Sequence, residues 1–263
     1  MRLLMCRPDF YGIEYEINPW MSRTRQADQE QAQWQWRRLC DLLRLELGAE
    51  IELVEPQPGL PDMVFTANAG VVWSGKFIAG NFRHEVRQRE APHYEAWFNA
   101  RGYDIIHLPE RCYFEGEGDL LRCGDMWFAG YRIRSDITSH QRIAEIIEQE
   151  ILSLELTNSW FYHLDTCFCP LADGRALFYP GAFDPYARQV LENRVPELIA
   201  VSEREAARFA CNAVVDGNRI VMNDGCPELR RTLEACGYAV FDTPLEEFIK
   251  AGGSAKCLAL IIG

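Results

Sequence analysis

The chain has 263 residues, 48% of them hydrophobic, and a formal net charge of -12. That is enough apolar length for a substantial core, in one large domain or two small ones. The acidic balance argues against nucleic acid or an anionic membrane as the main partner and is compatible with a cationic substrate.

In chain order, the apolar run Leu3-Leu4-Met5-Cys6 is too short for a signal-peptide core. No later stretch approaches the roughly 18 apolar residues needed to cross a bilayer. A strand over 3–6, a long helix over 27–47 and a strand over 50–54 open the chain. Residues 71–80 read as strand, Ser74-Gly75 turn, strand, followed by a helix over 92–101 and a strand over 103–108. Residues 119–130 repeat that hairpin, with Ile78-Ala79-Gly80 recurring in register as Phe128-Ala129-Gly130, and 137–154 supplies the helix. A third copy spans 166–180 around Ala172-Asp173-Gly174-Arg175, with a helix over 185–193 and a strand over 197–201. A fourth spans 211–223 around Asp216-Gly217-Asn218, with a helix over 227–236 and a strand over 239–242. A last strand over 258–262 pairs with the N-terminal segment to close a fifth unit.

Ser-Gly and Asp-Gly between apolar runs are strong hairpin signals. Repetition at about 40 to 50 residues suggests a radial or stacked array of one supersecondary unit. The lack of low-complexity runs and Gly/Ser linkers favours a single α/β domain over 1–263. Ten cysteines in 263 residues show no disulfide framework and are expected reduced, in a cytosolic protein.

Each repeat carries polar residues where its first strand begins or ends, and a radial array brings those points to its axis. They are Asn68 in the first unit, Glu115, Glu117 and Asp119 in the second, His163 and Asp165 in the third, and Cys257 in the closing unit. Carboxylates hold a planar cation through paired hydrogen bonds. A thiolate attacks its carbon, and an imidazole moves protons between departing ammonia and incoming water. Lys256 is expected to lower the Cys257 pKa, and Gly252-Gly253 to let a ligand approach the main chain. His84, His93, His107 and His140 lack such partners and read as structural. Cys167 and Cys169 are poorly spaced for zinc and read as core. Trp34 and Trp36 read as core or an oligomer contact. No metal or organic cofactor is expected.

The residues Phe65-Thr66, Glu115-Gly116-Glu117-Gly118-Asp119, His163-Leu164-Asp165 and the glycine-rich loop ending in Cys257 occur in that order. With them, the chain resembles the guanidino-group-modifying enzymes, whose fold is the five-bladed α/β propeller called the pentein. The resemblance implies Cys257 as nucleophile, His163 as general acid/base, and Asp165 and Glu115 on the guanidinium. It also implies Arg87 and Arg134 on a substrate carboxylate. Asp119 and Asn18 join as further substrate-site residues. An extra residue in the Glu-Gly motif leaves Glu115 and Glu117 in competition. Glu115 is preferred because it lies 19 residues before Arg134, a spacing similar to that of the deiminases.

Deiminases and dimethylaminohydrolases place an aspartate where this chain has Asn68, within Thr66-Ala67-Asn68-Ala69. That departure, with the opening Glu16-Ile17-Asn18-Pro19-Trp20-Met21, resembles the arginine dihydrolases. The implied activity is hydrolysis of L-arginine to ornithine, carbon dioxide and two ammonia through Cys-linked intermediates, with Asn68 holding the ureido intermediate. One rival is a deiminase stopping at citrulline. A rival of another class is a non-catalytic pentein used as a binding platform, such as the ribosomal anti-association factors. A papain-like thiol hydrolase fails on the order of cysteine and histidine. Self-association is left open.

Overall fold

Four times, an antiparallel hairpin is followed by a helical crossover and a third strand parallel to the strand at the centre of the sheet, and a fifth sheet repeats the pattern with strands from both ends of the chain. The computed structural model describes the backbone of residues 1–263 and every side chain but that of Asp173, so the side chain expected at the third turn lies outside the described residues.

The first blade joins Gly70–Trp73, Lys76–Ala79 and Asp104–Ile106, with helix Ala91–Asn99 in the crossover. The second joins Leu120–Cys123, Met126–Tyr131 and Ile151–Glu155. The third joins Phe168–Pro170, Ala176–Phe178 and Leu198–Ala200. The fourth joins Val214–Asp216, Arg219–Asn223 and Ala239–Thr243. In the closing blade, Leu260–Ile261 runs antiparallel to Arg2–Cys6, and Glu50–Val54 lies parallel on its other side. This is the five-bladed arrangement expected from the repeats.

Local chemistry sets the crossovers. Helix Gln29–Leu45 starts at Asp28, whose carboxylate accepts from Gln31 N at 3.0 Å. It buries Ala32, Trp36, Leu39 and Leu43 on one face and leaves Trp34 at the surface. Helix Pro185–Arg194 starts at Asp184, which accepts from Ala187 N at 2.8 Å and Tyr186 N at 3.2 Å, with Pro185 preset for the first turn.

One expected helix is shorter than its sequence suggested. The stretch 137–154 splits into helix Ile137–Ile147 and strand Ile151–Glu155. Glu148 ends the helix in a left-handed conformation at φ 55°, a turn for which a non-glycine residue gives no obvious sequence signal.

The recurring Ala-Gly has a packing cause. Short helical turns, Thr66–Ala69, Gly116–Gly118 and Leu164–Thr166, lead into the first strands of three blades and pack on one another. They lie hard against the ends of the central strands. A Cβ on Gly80 would stand 2.7 Å from Asn68 O and 2.9 Å from Ala69 O, and one on Gly130 would stand 2.9 Å from Asp119 Oδ1. Gly80→Ala is therefore expected to destabilise the fold by about 1–3 kcal/mol, read as a lower denaturant midpoint at unchanged m-value. Wild-type stability in that variant would mean the lead-in turns are not held by this contact.

Candidate active site

The lead-in segments carry Asn68, Glu115, Glu117, Asp119, His163, Asp165 and Cys257, while Arg87, Arg134 and Asn18 lie elsewhere in the chain. Cys257 comes from the turn before Leu260–Ile261 and is buried. Its Sγ stands 3.2 Å from Asp165 Oδ2, as donor to the carboxylate, and accepts from Asn212 Nδ2 at 3.1 Å. Its backbone is fixed on both sides: Cys257 N donates to Asn212 Oδ1 at 3.1 Å, and Cys257 O accepts from Ala67 N at 3.1 Å.

A second cluster centres on Glu115, which is wholly buried. Its Oε2 meets His163 Nε2 at 2.7 Å and accepts from Arg134 Nη1 at 2.9 Å. Arg134 also donates to Ile17 O at 3.2 Å and lies 4.5 Å over the Tyr162 ring. Glu117 faces elsewhere: it accepts from Lys256 Nζ at 2.6 Å and from Ile261 N at 3.1 Å. Of the two competing glutamates, Glu115 is the one that joins the histidine.

Asn68 and His163 both lie against the Cβ face of Gly118, where a Cβ would stand 2.4 Å from Asn68 Nδ2 and 3.3 Å from His163 Nδ1. Asn68 Oδ1 accepts from Arg87 Nη1 at 2.8 Å. A guanidinium can only donate, so this contact fixes the amide with its NH2 on the Gly118 side. Arg87 is in turn gripped by Glu90 through two bonds of 2.8 Å and donates to Asp62 O at 3.2 Å. Asp119 has both oxygens occupied, by Ser135 Oγ at 2.6 Å and Leu164 N at 3.1 Å, so it orients the His163–Asp165 turn. Asn18 builds its own loop, accepting from Trp20 N at 2.9 Å and donating to Ala251 O at 3.0 Å.

Residues 14–262 match the family model described as N,N dimethylarginine dimethylhydrolase, eukaryotic. The chain belongs to this family. Its relatives include the bifunctional arginine dihydrolase/ornithine cyclodeaminase AgrE of Nostoc sp., 46% identical over 265 residues, covering 99% of this chain and 37% of that protein. They also include the N(G),N(G)-dimethylarginine dimethylaminohydrolase of Mycobacterium tuberculosis, 38% identical over 99% of this chain and 85% of that protein. A variant of the N-terminal domain of ArgZ, from Synechocystis sp., has been solved covalently bonded to a reaction intermediate. It superposes with a TM-score of 0.95 at 45% identity, covering 100% of this chain and 97% of that one. The chain spans a little over a third of the length of the bifunctional relatives.

Two expectations about the Cys257 loop of this family member change. Lys256 does not face the thiol; its ammonium donates to Glu117 and to Ala259 O at 3.0 Å. Burial and the neighbouring Asp165 charge instead push the Cys257 thiol well above its ordinary value. Gly252-Gly253 packs against protein: Tyr162 OH donates to Gly252 O at 2.6 Å, and a Cβ on Gly253 would meet the Phe65 ring at 2.3 Å.

The carboxyls divide by environment. Burial alone would raise Glu115, but Arg134 and His163 together hold it well below the carboxylate range. Asp165, buried with a weaker set of partners, is pushed up to about 7. Burial likewise raises Asp119 to about 6. The Asp62 carboxylate faces the Tyr15 hydroxyl, while Asn68 Nδ2 and Asp165 Oδ1 are buried polar atoms without a protein partner. Such atoms cost about 1–3 kcal/mol each.

Two residues escaped the sequence reading. Asp62, in Leu60-Pro61-Asp62, reads as a turn residue but is buried beside Arg87. Asn212 precedes the first strand of the fourth blade, the one repeat that had been assigned no axial residue. Among the described residues, no group of three His, Cys, Asp or Glu side chains is placed to hold a metal ion.

Proposed function

We propose that this chain hydrolyses L-arginine to ornithine, two ammonia and carbon dioxide, with Cys257 attacking the guanidino carbon in two successive cycles. The observation that carries the reading is the buried contact of Cys257 Sγ with Asp165, beside the His163–Glu115–Arg134 cluster. The names of the arginine dihydrolase relatives and the covalent intermediate on the ArgZ domain support it. The free acceptor on Asp165 suits a cationic substrate.

The resting thiol is protonated and hydrogen-bonded to Asp165. A guanidinium against Asp165 adds positive charge beside both groups, which favours thiolate. The thiolate adds to the guanidino carbon. His163, aligned by Glu115, protonates departing ammonia and leaves a Cys-linked amidino intermediate. Water, giving a proton to His163, adds to that carbon and expels the thiolate, yielding bound citrulline. In the second cycle the thiolate adds to the ureido carbon, a second ammonia leaves, and water releases a carbamate that breaks down to carbon dioxide. The net reaction consumes two waters per arginine. Arg134 and Arg87 remain the candidate partners of the substrate carboxylate; Arg87 would act while held by Glu90.

The same reading treats residues 1–263 as one catalytic unit, supported by a closing blade whose strands come from both ends of the chain. No described helix is long and apolar enough to cross a membrane, and all ten cysteines are free, which suits a cytosolic enzyme.

Because Asp165 must be ionised to hold the cation, kcat/KM for arginine is expected to rise with pH through about 7. A profile flat from about pH 5 to 8 contradicts this role for Asp165. The 38% identity to a dimethylarginine dimethylaminohydrolase favours dimethylarginine as a second reading. Supplying the protein with L-arginine and dimethylarginine at equal concentration separates the two. Consumption of arginine with release of ornithine supports the proposal, and consumption of dimethylarginine alone overturns it.

A further inference from the structure

Asn212 is completely buried in the segment between Phe209 and strand Val214–Asp216. Its backbone is locked, with N donating to Phe209 O at 2.9 Å and O accepting from Lys256 N at 3.3 Å. Its side chain uses every part of the amide. Oδ1 accepts from Cys257 N at 3.1 Å, while Nδ2 donates to Asp165 O at 3.0 Å and to Cys257 Sγ at 3.1 Å. A backbone N–H can only donate, so the Cys257 N contact fixes which end of the amide is oxygen and leaves the NH2 on the sulfur. Among the described residues it is the side-chain N–H donor to that atom.

The fold supplies an independent reason to look there. Four blades place a candidate residue just before their first strand: Asn68, Glu115, His163 with Asp165, and Cys257. Asn212 occupies that place in the fourth blade, two residues before Val214.

We propose that Asn212 is a catalytic residue: its amide N–H holds the Cys257 sulfur in its anionic form, both when it attacks and when it departs from each adduct. This rests on the reading of Cys257 as nucleophile. Asp165 Oδ2, 3.2 Å from the sulfur, repels a thiolate once it has ionised, so neutral donors, the Asn212 amide and the Ser254 backbone N–H, are the groups that can offset that repulsion without neutralising Asp165. Sulfur regains its charge when each of the two adducts collapses, so the donor acts in both cycles. The same amide ties Asp165 O to Cys257 N, keeping the carboxylate and the thiol in register.

The test uses the full chain with Asn212→Ala and Asn212→Asp. The aspartate variant keeps the shape and the acceptor for Cys257 N but removes the donor. Two readouts are taken: the pH dependence of Cys257 alkylation by iodoacetamide without substrate, and kcat and KM for L-arginine. The alkylation midpoint is expected to move up by one pH unit or more, and kcat to fall about 10- to 100-fold with KM little changed. Wild-type alkylation profiles with kcat within about twofold in both variants would overturn the proposal.

If a variant does not fold, the wild-type chain decides. The Asn212 side-chain amide proton, followed by NMR, should shift over the pH interval in which alkylation accelerates; a signal that does not move there overturns the proposal. If the alkylation shift is found but wild-type protein leaves arginine untouched, the role of Asn212 stands and the arginine reading falls.

Discussion

Cys257→Ser is expected to lower arginine turnover by at least about ten-thousand-fold while leaving the fold and arginine binding intact. The substitution exchanges one buried atom for a slightly smaller one with the same partners, Asp165 Oδ2 and Asn212 Nδ2. The acceptor proposed to hold the guanidinium, Asp165 Oδ1, is untouched. What is lost is nucleophilicity, since an unactivated hydroxyl does not ionise beside a carboxylate. Steady-state ammonia release gives the turnover, and calorimetric titration with arginine gives the binding. Turnover above about one per cent of wild type would remove Cys257 from the chemistry. Loss of binding together with activity would place it among binding groups instead.

Asn68→Asp is expected to redirect the product toward citrulline, changing the ornithine-to-citrulline ratio by about tenfold or more. The amide is held with Oδ1 on Arg87 and Nδ2 on the Gly118 side, where it has no protein partner. That NH2 can donate to the oxygen of a neutral ureido group and keep it in place for a second attack. A carboxylate keeps the Arg87 contact and pairs well with a guanidinium, so the first cycle survives. It presents only lone pairs to the ureido oxygen, so citrulline leaves before the second cycle. Amino-acid analysis of the product mixture reads the ratio directly. An aspartate variant that still releases ornithine with two ammonia per arginine shows that the ureido group is retained by other means.

The repeats could be read from the sequence because hairpin turns and close-packed glycines leave a local signature. Ser74-Gly75 and Asp216-Gly217 mark turns, Gly80 sits where lead-in backbone presses on the central strand, and Gly130 sits against the side chains of Asp119, Leu156 and Leu164. The end of helix Ile137–Ile147 could not be read, since Glu148 adopts its left-handed turn without a glycine. Cys257, His163 and the acids were visible because each precedes a first strand and the array brings those points together.

Asn212 was not visible, since an asparagine within Cys211-Asn212-Ala213-Val214 carries no charge or periodicity to set it apart. Completing the fivefold pattern would have found it. Lys256 failed for a different reason. Residues adjacent in a turn point in different directions, and its ammonium turns to Glu117 while Cys257 turns to Asp165. Proximity in sequence was a poor guide to electrostatics there. The polar atoms of Asn18 and Asp119 serve backbone partners and Ser135.

The central claim is that one thiol removes both terminal nitrogens of the same substrate. Its most direct test is to let the purified chain consume a known amount of L-arginine and count ammonia, ornithine and citrulline. The account predicts two ammonia and one ornithine for each arginine consumed, with no accumulating citrulline. One ammonia and one citrulline per arginine would contradict it and make the protein a deiminase.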